Sequence, residues 1–212
     1  MKAATMIALG DSLTSGYEPN GPGNGGWPKF ANALFADQVL NEGVAGATWQ
    51  TGSRNDAISF VQRVKTIDWA KAQKAILFGG TNDYGQSLPI GQLSDQQSNT
   101  MLGAMNQSLA TIYQANPTIL LYVLTPTWRN RLMGKTVGVE EEANQQGLLL
   151  VDYVQAIEAW AHYYHLPVLN LYQTMNINHL NAKSWLLDGL HPTPSGHQRL
   201  AKTIMAFVQT YH

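Results

Sequence analysis

The chain contains no cysteine. Disulfide bonds, thiolate catalysis and cysteine-ligated zinc are therefore excluded, while the compartment is left open. Charge is scarce as well. Asp, Glu, Lys and Arg make up 13% of the 212 residues, about half the roughly 25% usual in soluble domains. A net charge of -1 gives no basic footprint, so nucleic acid is not an expected partner. No apolar run approaches the ~20 residues of a membrane span. A secretory leader needs a longer apolar region and a cleavage site, whereas here one lysine precedes the first strand; a cytoplasmic location is the expectation. No metal or cofactor is expected. His162 and His165 are spaced i, i+3, but no carboxylate or cysteine completes a ligand set near them, and His179 and His212 belong to no motif.

What is present is a regular alternation of strand and helix signals. The length suits one domain, residues 1–212, with a sizeable core, and no internal repeat, low-complexity tract or linker divides the chain. Short apolar runs at Thr5–Leu9, Gln38–Asn41, Lys74–Phe78, Ile119–Leu124 and Pro167–Leu171 read as strands. Helices are expected over Trp27–Phe35, Ile58–Ile67, Asn99–Ala115 and Leu148–His165. A last helix opens at Thr193-Pro194, a capping residue with proline at the first position, and is expected to bury Leu200, Ile204, Phe207 and Tyr211. The stretches Glu18–Gly26, Gln86–Gln97, Trp128–Gln146 and Tyr172–Leu187 read as loops, and Glu140-Glu141-Glu142 as a solvated face. Such alternation predicts an α/β fold with a five-stranded parallel sheet in the order 2-1-3-4-5 and helices on both faces.

In that fold the loops after strands one, two and three open on one edge of the sheet, where open α/β sheets bind ligands. They carry Ser12, Gly46 and Asn82. The loop before the last helix carries Asp188-Gly189-Leu190-His191-Pro192. A histidine three residues after an aspartate can turn Nδ1 to the carboxylate and leave Nε2 free to take a proton from Ser12. Asn82 can offer its side-chain amide, and Gly46 and Ser12 a backbone N–H each, to an oxyanion.

These blocks resemble the SGNH hydrolases, also called GDSL esterases and lipases. Gly10-Asp11-Ser12-Leu13, Asn41-Glu42-Gly43-Val44-Ala45-Gly46, Gly80-Thr81-Asn82-Asp83 and Asp188-Gly189-Leu190-His191-Pro192 occur in family order and span nearly the whole chain. The resemblance implies a flavodoxin-like three-layer α/β/α sandwich. It also implies Ser12 as nucleophile, His191 as base with Asp188 behind it, and an oxyanion hole from Ser12, Gly46 and Asn82. No Gly-x-Ser-x-Gly surrounds Ser12, so the α/β-hydrolase elbow is not the match.

Other residues carry blander expectations. Asp11 is expected to anchor its turn through backbone N–H groups, Asp83 to be structural, and His197 to be packed or capping. Gly43 is expected to serve as a turn glycine. Trp49, Trp128 and Trp185 lie in or near loops at the active edge and are candidates for lining a substrate pocket. Arg129 is expected at the surface, and is also the candidate for holding a polar substrate. The leading function is a serine esterase acting through an acyl-enzyme on short-chain carboxylic esters, with a small-molecule ester as partner. Sugar O-acetyl esters, lipid esters and thioesters are alternative substrates. A carbohydrate-binding module on a degenerate hydrolase fold is the non-enzyme alternative, which loss of the serine, histidine or asparagine would favour; all are present.

Overall fold

The computed structural model describes residues 4–19, 21, 23–132, 135–136 and 142–211. Five parallel strands form the sheet: β1 (Thr5–Gly10), β2 (Gln38–Gly43), β3 (Lys74–Phe78), β4 (Leu120–Leu124) and β5 (Val168–Leu169). Their order is β2-β1-β3-β4-β5, as the alternation predicts. The central strands are continuous apolar runs because helices cover both faces; every residue of β3 is buried. The outer strand β5 is shorter than the apolar run suggests, pairing only Val168 and Leu169 with β4.

Alternate side chains of each strand feed two cores. On one face Ile7, Leu9, Ala75, Leu77, Leu121 and Val123 meet α3 (Phe60–Arg63), α5 (Met101–Ala115) and α6 (Leu150–Tyr163). On the other, Met6, Ala8, Ile76, Phe78, Tyr122 and Leu124 meet α2 (Gly26–Leu34) and α9 (Pro194–Gln209). Leu150, Val154, Ile157 and Ala161 are buried along one face of α6, as their spacing predicts. In α9, Thr193 caps the first turn through Gly196 N–H. Leu200 and Ile204 are buried, each worth roughly 1.5–3 kcal/mol. Phe207 is only partly buried, and Tyr211, expected in the core, lies beyond the end of α9 and is 51% exposed, with its ring edge-on to Tyr122 and Phe207.

The segment Ile58–Ile67 is not one helix. A 3-10 turn spans Asp56–Ile58 and α3 covers only Phe60–Arg63, because Phe60 and Val61 donate their N–H groups to Thr48 and Trp49 carbonyls. The expected irregular stretch Tyr172–Leu187 holds two short helices, α7 (Leu171–Thr174) and α8 (Ala182–Trp185). Within the expected loop Trp128–Gln146, Arg131–Leu132 pairs antiparallel with Lys135–Thr136. Of the acidic run, Glu142 is exposed; Glu140, Glu141 and also His212 lie outside the described residues. His162 and His165 do not share a helix: α6 ends at Tyr163 and His165 sits in a left-handed turn. Among the described residues no helix is long and apolar enough to cross a membrane.

Register positions the site. Gly10 lies opposite Gly43 on one side and Phe78 on the other, so the loops after β1, β2 and β3 leave the sheet at one level. The half-buried Arg63 braces this edge, donating to the carbonyls of Gly10 (3.3 Å) and Glu42 (2.6 Å).

Candidate active site

The loop after β1 turns at once into α1 (Ser12–Ser15). Gly10 is required there by close approach, since a Cβ would lie 2.0 Å from Thr14 Oγ1. Asp11 caps α1: its Oδ1 accepts from Leu13 N–H at 2.8 Å, the anchoring role expected of it. Asn41 ties the turn down from β2, donating to the carbonyls of Thr14 (2.9 Å) and Gly25 (3.0 Å). Ser12, at the first position of α1, keeps an N–H that the helix cannot use.

The loop before α9 brings His191 over this serine. Asp188 Oδ1 accepts the N–H groups of Leu190 (3.2 Å) and His191 (2.8 Å), and its Oδ2 lies 2.9 Å from His191 Nδ1. With the proton on Nδ1, Nε2 is an acceptor, and it lies 3.2 Å from Ser12 Oγ. A hydroxyl, an imidazole and a carboxylate thus stand in series. Ser12 and His191 are both buried, at 5% and 8% exposure, which limits competing water. Tyr17 lies against the imidazole with ring centroids 4.8 Å apart.

The loops after β2 and β3 are locked to each other. Gly46 has a φ of +83°, which favours glycine. Asn82, in α4 (Thr81–Gly85), donates one amide hydrogen to the Ala47 carbonyl at 2.9 Å and keeps a second. Both oxygens of Asp83 accept from Trp49 N–H at 3.1 Å, and Gln50 Nε2 adds a contact at 3.3 Å. Asp83 is therefore structural, as expected. Ser12, Gly46, Asn82 and His191 line one cavity of about 390 Å³. These four of the sequence-predicted site residues meet there, with Asp188 behind His191.

Burial perturbs the acids beneath this surface. Burial pushes the Asp11 carboxyl up to about 7, against the pull of Leu13 N–H, with Asp83 raising it and Arg129 lowering it. Burial likewise pushes Asp83 up to about 6, opposed by its hydrogen bonds from Trp49 and Gln50. His197 is fully buried, a packed residue as expected. Burial pushes it down to about 4, aided by His191.

The tryptophan expectations are corrected. Trp49 is fully buried against Phe60 and Trp160 in one core, and Trp128 is buried in the other. Trp185 packs on the second core and lies under the Arg199 guanidinium, 4.6 Å away. None of the three is among the residues lining the cavity. Arg129 is also not at the surface. It lines the cavity from below, 6% exposed, with Nη1 donating to the Thr81 carbonyl (3.0 Å) and hydroxyl (3.1 Å) and the guanidinium 5.6 Å from the Tyr84 ring. The aromatic ring at the cavity is Tyr17, and Arg54, Ile58 and Gln86 add walls that no motif marks. Gln86 stands one helical turn after Asn82, the one spacing that points to it. Among the described residues no group of three or more His, Asp or Glu is placed to hold a metal.

A parallel α/β/α sandwich with this series of groups at the strand ends has the make-up of an ester hydrolase. The chain belongs to the GDSL-like Lipase/Acylhydrolase family, whose family model matches residues 8–199 and so includes every block quoted above. A crystal structure 30% identical to it covers 99% of this chain and 98% of its own, with a TM-score of 0.89. A Lactobacillus plantarum protein is 25% identical over 100% of this chain and 99% of its own, TM-score 0.84. The aryl esterase of M. smegmatis shares the fold, with TM-score 0.71 at 16% identity over 99% of this chain and 100% of its own. No curated protein matches the chain.

Proposed function

We propose that the chain hydrolyses short-chain carboxylic esters through an acyl-enzyme on Ser12. The observation that carries this reading is the unbroken series Asp188–His191–Ser12, at 2.9 and 3.2 Å, opening into a cavity with oxyanion donors. Ser12 Oγ attacks the ester carbonyl while His191 Nε2 takes its proton. Asp188 holds the ring in the tautomer that can accept and stabilises the imidazolium. The carbonyl oxygen becomes an oxyanion, for which the Ser12 and Gly46 N–H groups and the second Asn82 amide hydrogen are the donors. Collapse breaks the bond to the alcohol, which leaves with the proton from His191. Water then attacks the acyl carbonyl and gives its proton to His191; the bond from Ser12 Oγ to the acyl carbon breaks, His191 returns the proton to Ser12 Oγ, and the acid is released.

The test is labelling with a fluorophosphonate, read by peptide mass spectrometry beside turnover of 4-nitrophenyl acetate. The expected result is modification at Ser12 and parallel loss of turnover. Full turnover after complete labelling of Ser12, or labelling at another serine alone, contradicts the reading.

A further inference from the structure

A second cavity of about 370 Å³ adjoins the first, and Arg54, Gly85 and Gln86 line both. Ser53, Ser87 and Gln145 make much of its remaining wall polar. The seam between the cavities is held in place. Arg54 N–H donates to Gln86 Oε1 at 2.9 Å, and Asp56 Oδ1 accepts both the N–H (2.9 Å) and the hydroxyl (3.2 Å) of Ser53. Asn55 caps the following turn through Ala57 N–H. The Arg54 side chain is exposed and projects from this pinned backbone. Among the described residues it meets no carboxylate, and neither cavity has an Asp or Glu in its lining. The nearest acid in sequence, Asp56, is engaged by Ser53. The second guanidinium of the lining, Arg129, is held on Thr81. Among the described residues, the charged side chains lining this cleft are the guanidinium groups of Arg54 and Arg129, in a chain whose net charge is -1.

We propose that the paired cavities select esters carrying an anionic group, with Arg54 as the residue that binds it. This rests on the ester-hydrolase reading above. A guanidinium offers a planar fork matched to a carboxylate or phosphate. A cleft of one sign of charge also raises the local concentration of a counter-charged substrate, in a way that salt weakens. Arg54 and Ser12 line the same cavity, so the negative charge sits on either the acyl or the alcohol part of the ester; the chemistry recognised is the same.

Two matched pairs of probes separate these sources. For charge on the acyl part, 4-nitrophenyl hemisuccinate is compared with 4-nitrophenyl valerate. For charge on the alcohol part, 4-acetoxybenzoate is compared with 4-acetoxybenzamide. The quantity read is the ratio of kcat/KM, charged over neutral, at pH 8. Arg54→Ala is expected to lower that ratio roughly threefold to tenfold for one of the pairs, through KM, with Arg54→Lys retaining part of it. Added salt is expected to lower the wild-type ratio and to leave that of Arg54→Ala nearly flat. The pair that responds identifies the part of the ester that carries the charge. Ratios that move in neither pair, on mutation or with salt, overturn the inference. A folded Ser12→Ala variant as active on the neutral probes as the wild type instead overturns the hydrolase reading beneath it.

Discussion

The hydroxyl of Ser12 lies 3.2 Å from Nε2 of His191, across 179 positions of chain. The two side chains come from opposite ends of the chain and meet only because β1 and the loop before α9 share an edge of the sheet. Each is useless as a catalyst without the other, so their losses are expected to be non-additive. Ser12→Ala and His191→Ala should each abolish ester turnover without unfolding, and the double variant should be no slower than the worse single one. Steady-state kinetics with 4-nitrophenyl acetate, beside circular dichroism, checks this. A double variant far slower than either single one contradicts it.

Asn82 is held by the Ala47 carbonyl at 2.9 Å, which aims its amide at the cavity before any substrate arrives. A donor used mainly in the transition state affects kcat more than KM. Asn82→Ala is expected to lower kcat by roughly 10²–10³ with little change in KM. A change confined to KM would make Asn82 a substrate-binding residue instead.

The strands and the four family blocks are legible in the sequence because each rests on a local signal: an apolar run, a Gly-Asp turn, a carboxylate three residues before a histidine. The walls of the cavity are not. Tyr17, Arg54 and Gln86 come from three separate loops, and only the register of β1, β2 and β3 brings them together. Trp49 shows the converse. It lies three residues past Gly46, yet its N–H is held by Asp83 and its ring by Phe60, so it faces the core. Nearness in sequence to a site says nothing about which way a side chain points. The burial of Arg129 is hidden from the sequence for a related reason: nothing local to it shows that Thr81 and Tyr84 receive its guanidinium.

Asp11 makes stability depend on pH. Its carboxyl is pushed up to about 7 by burial, from 3.8 in the absence of such effects. Between those values the folded state holds a proton that the unfolded state has lost, so stability falls as pH rises, by up to about 1.4 kcal/mol per unit. Asp83, at about 6, acts in the same direction. His197 acts oppositely: pushed down from 6.5 to about 4, it costs stability as pH falls through that range. Asp11→Asn removes one of the three contributions while keeping an oxygen for Leu13 N–H. The melting temperature of this variant relative to wild type is expected to be higher at pH 8 than at pH 5. An offset equal at both pH values contradicts the assignment.

Arg129 and Arg54 should behave differently. The buried Arg129 guanidinium holds the start of α4 through Thr81, and α4 carries Asn82. Arg129→Ala is expected to cost roughly 1–3 kcal/mol of stability through the lost buried hydrogen bonds. It should lower kcat on neutral and charged esters alike. Denaturant melts and the two probe pairs above check both parts. A loss confined to the charged probes would make Arg129 a substrate-holding residue.

The cavity also bears on chain length. Its volume is about 390 Å³, and Ala45, Ile58 and Leu190 are its aliphatic side chains, with Tyr17 beside them. Arg54, Asn55, Gln86 and Arg129 supply much of the remaining wall. Each methylene of an acyl chain contributes about 0.8 kcal/mol, or roughly fourfold in kcat/KM, only where an apolar surface covers it. Ile58 and Leu190 can cover a short chain; beyond them a longer one meets polar groups or solvent. Across 4-nitrophenyl acetate, butyrate, octanoate and palmitate at fixed detergent, kcat/KM is therefore expected to peak at or before butyrate. Ile58→Ala should reduce activity on butyrate more than on acetate, because only the longer acyl group reaches that side chain. A kcat/KM that keeps rising from butyrate to palmitate would refute the preference for short chains, and equal losses on the two short esters would remove Ile58 from the acyl-binding wall.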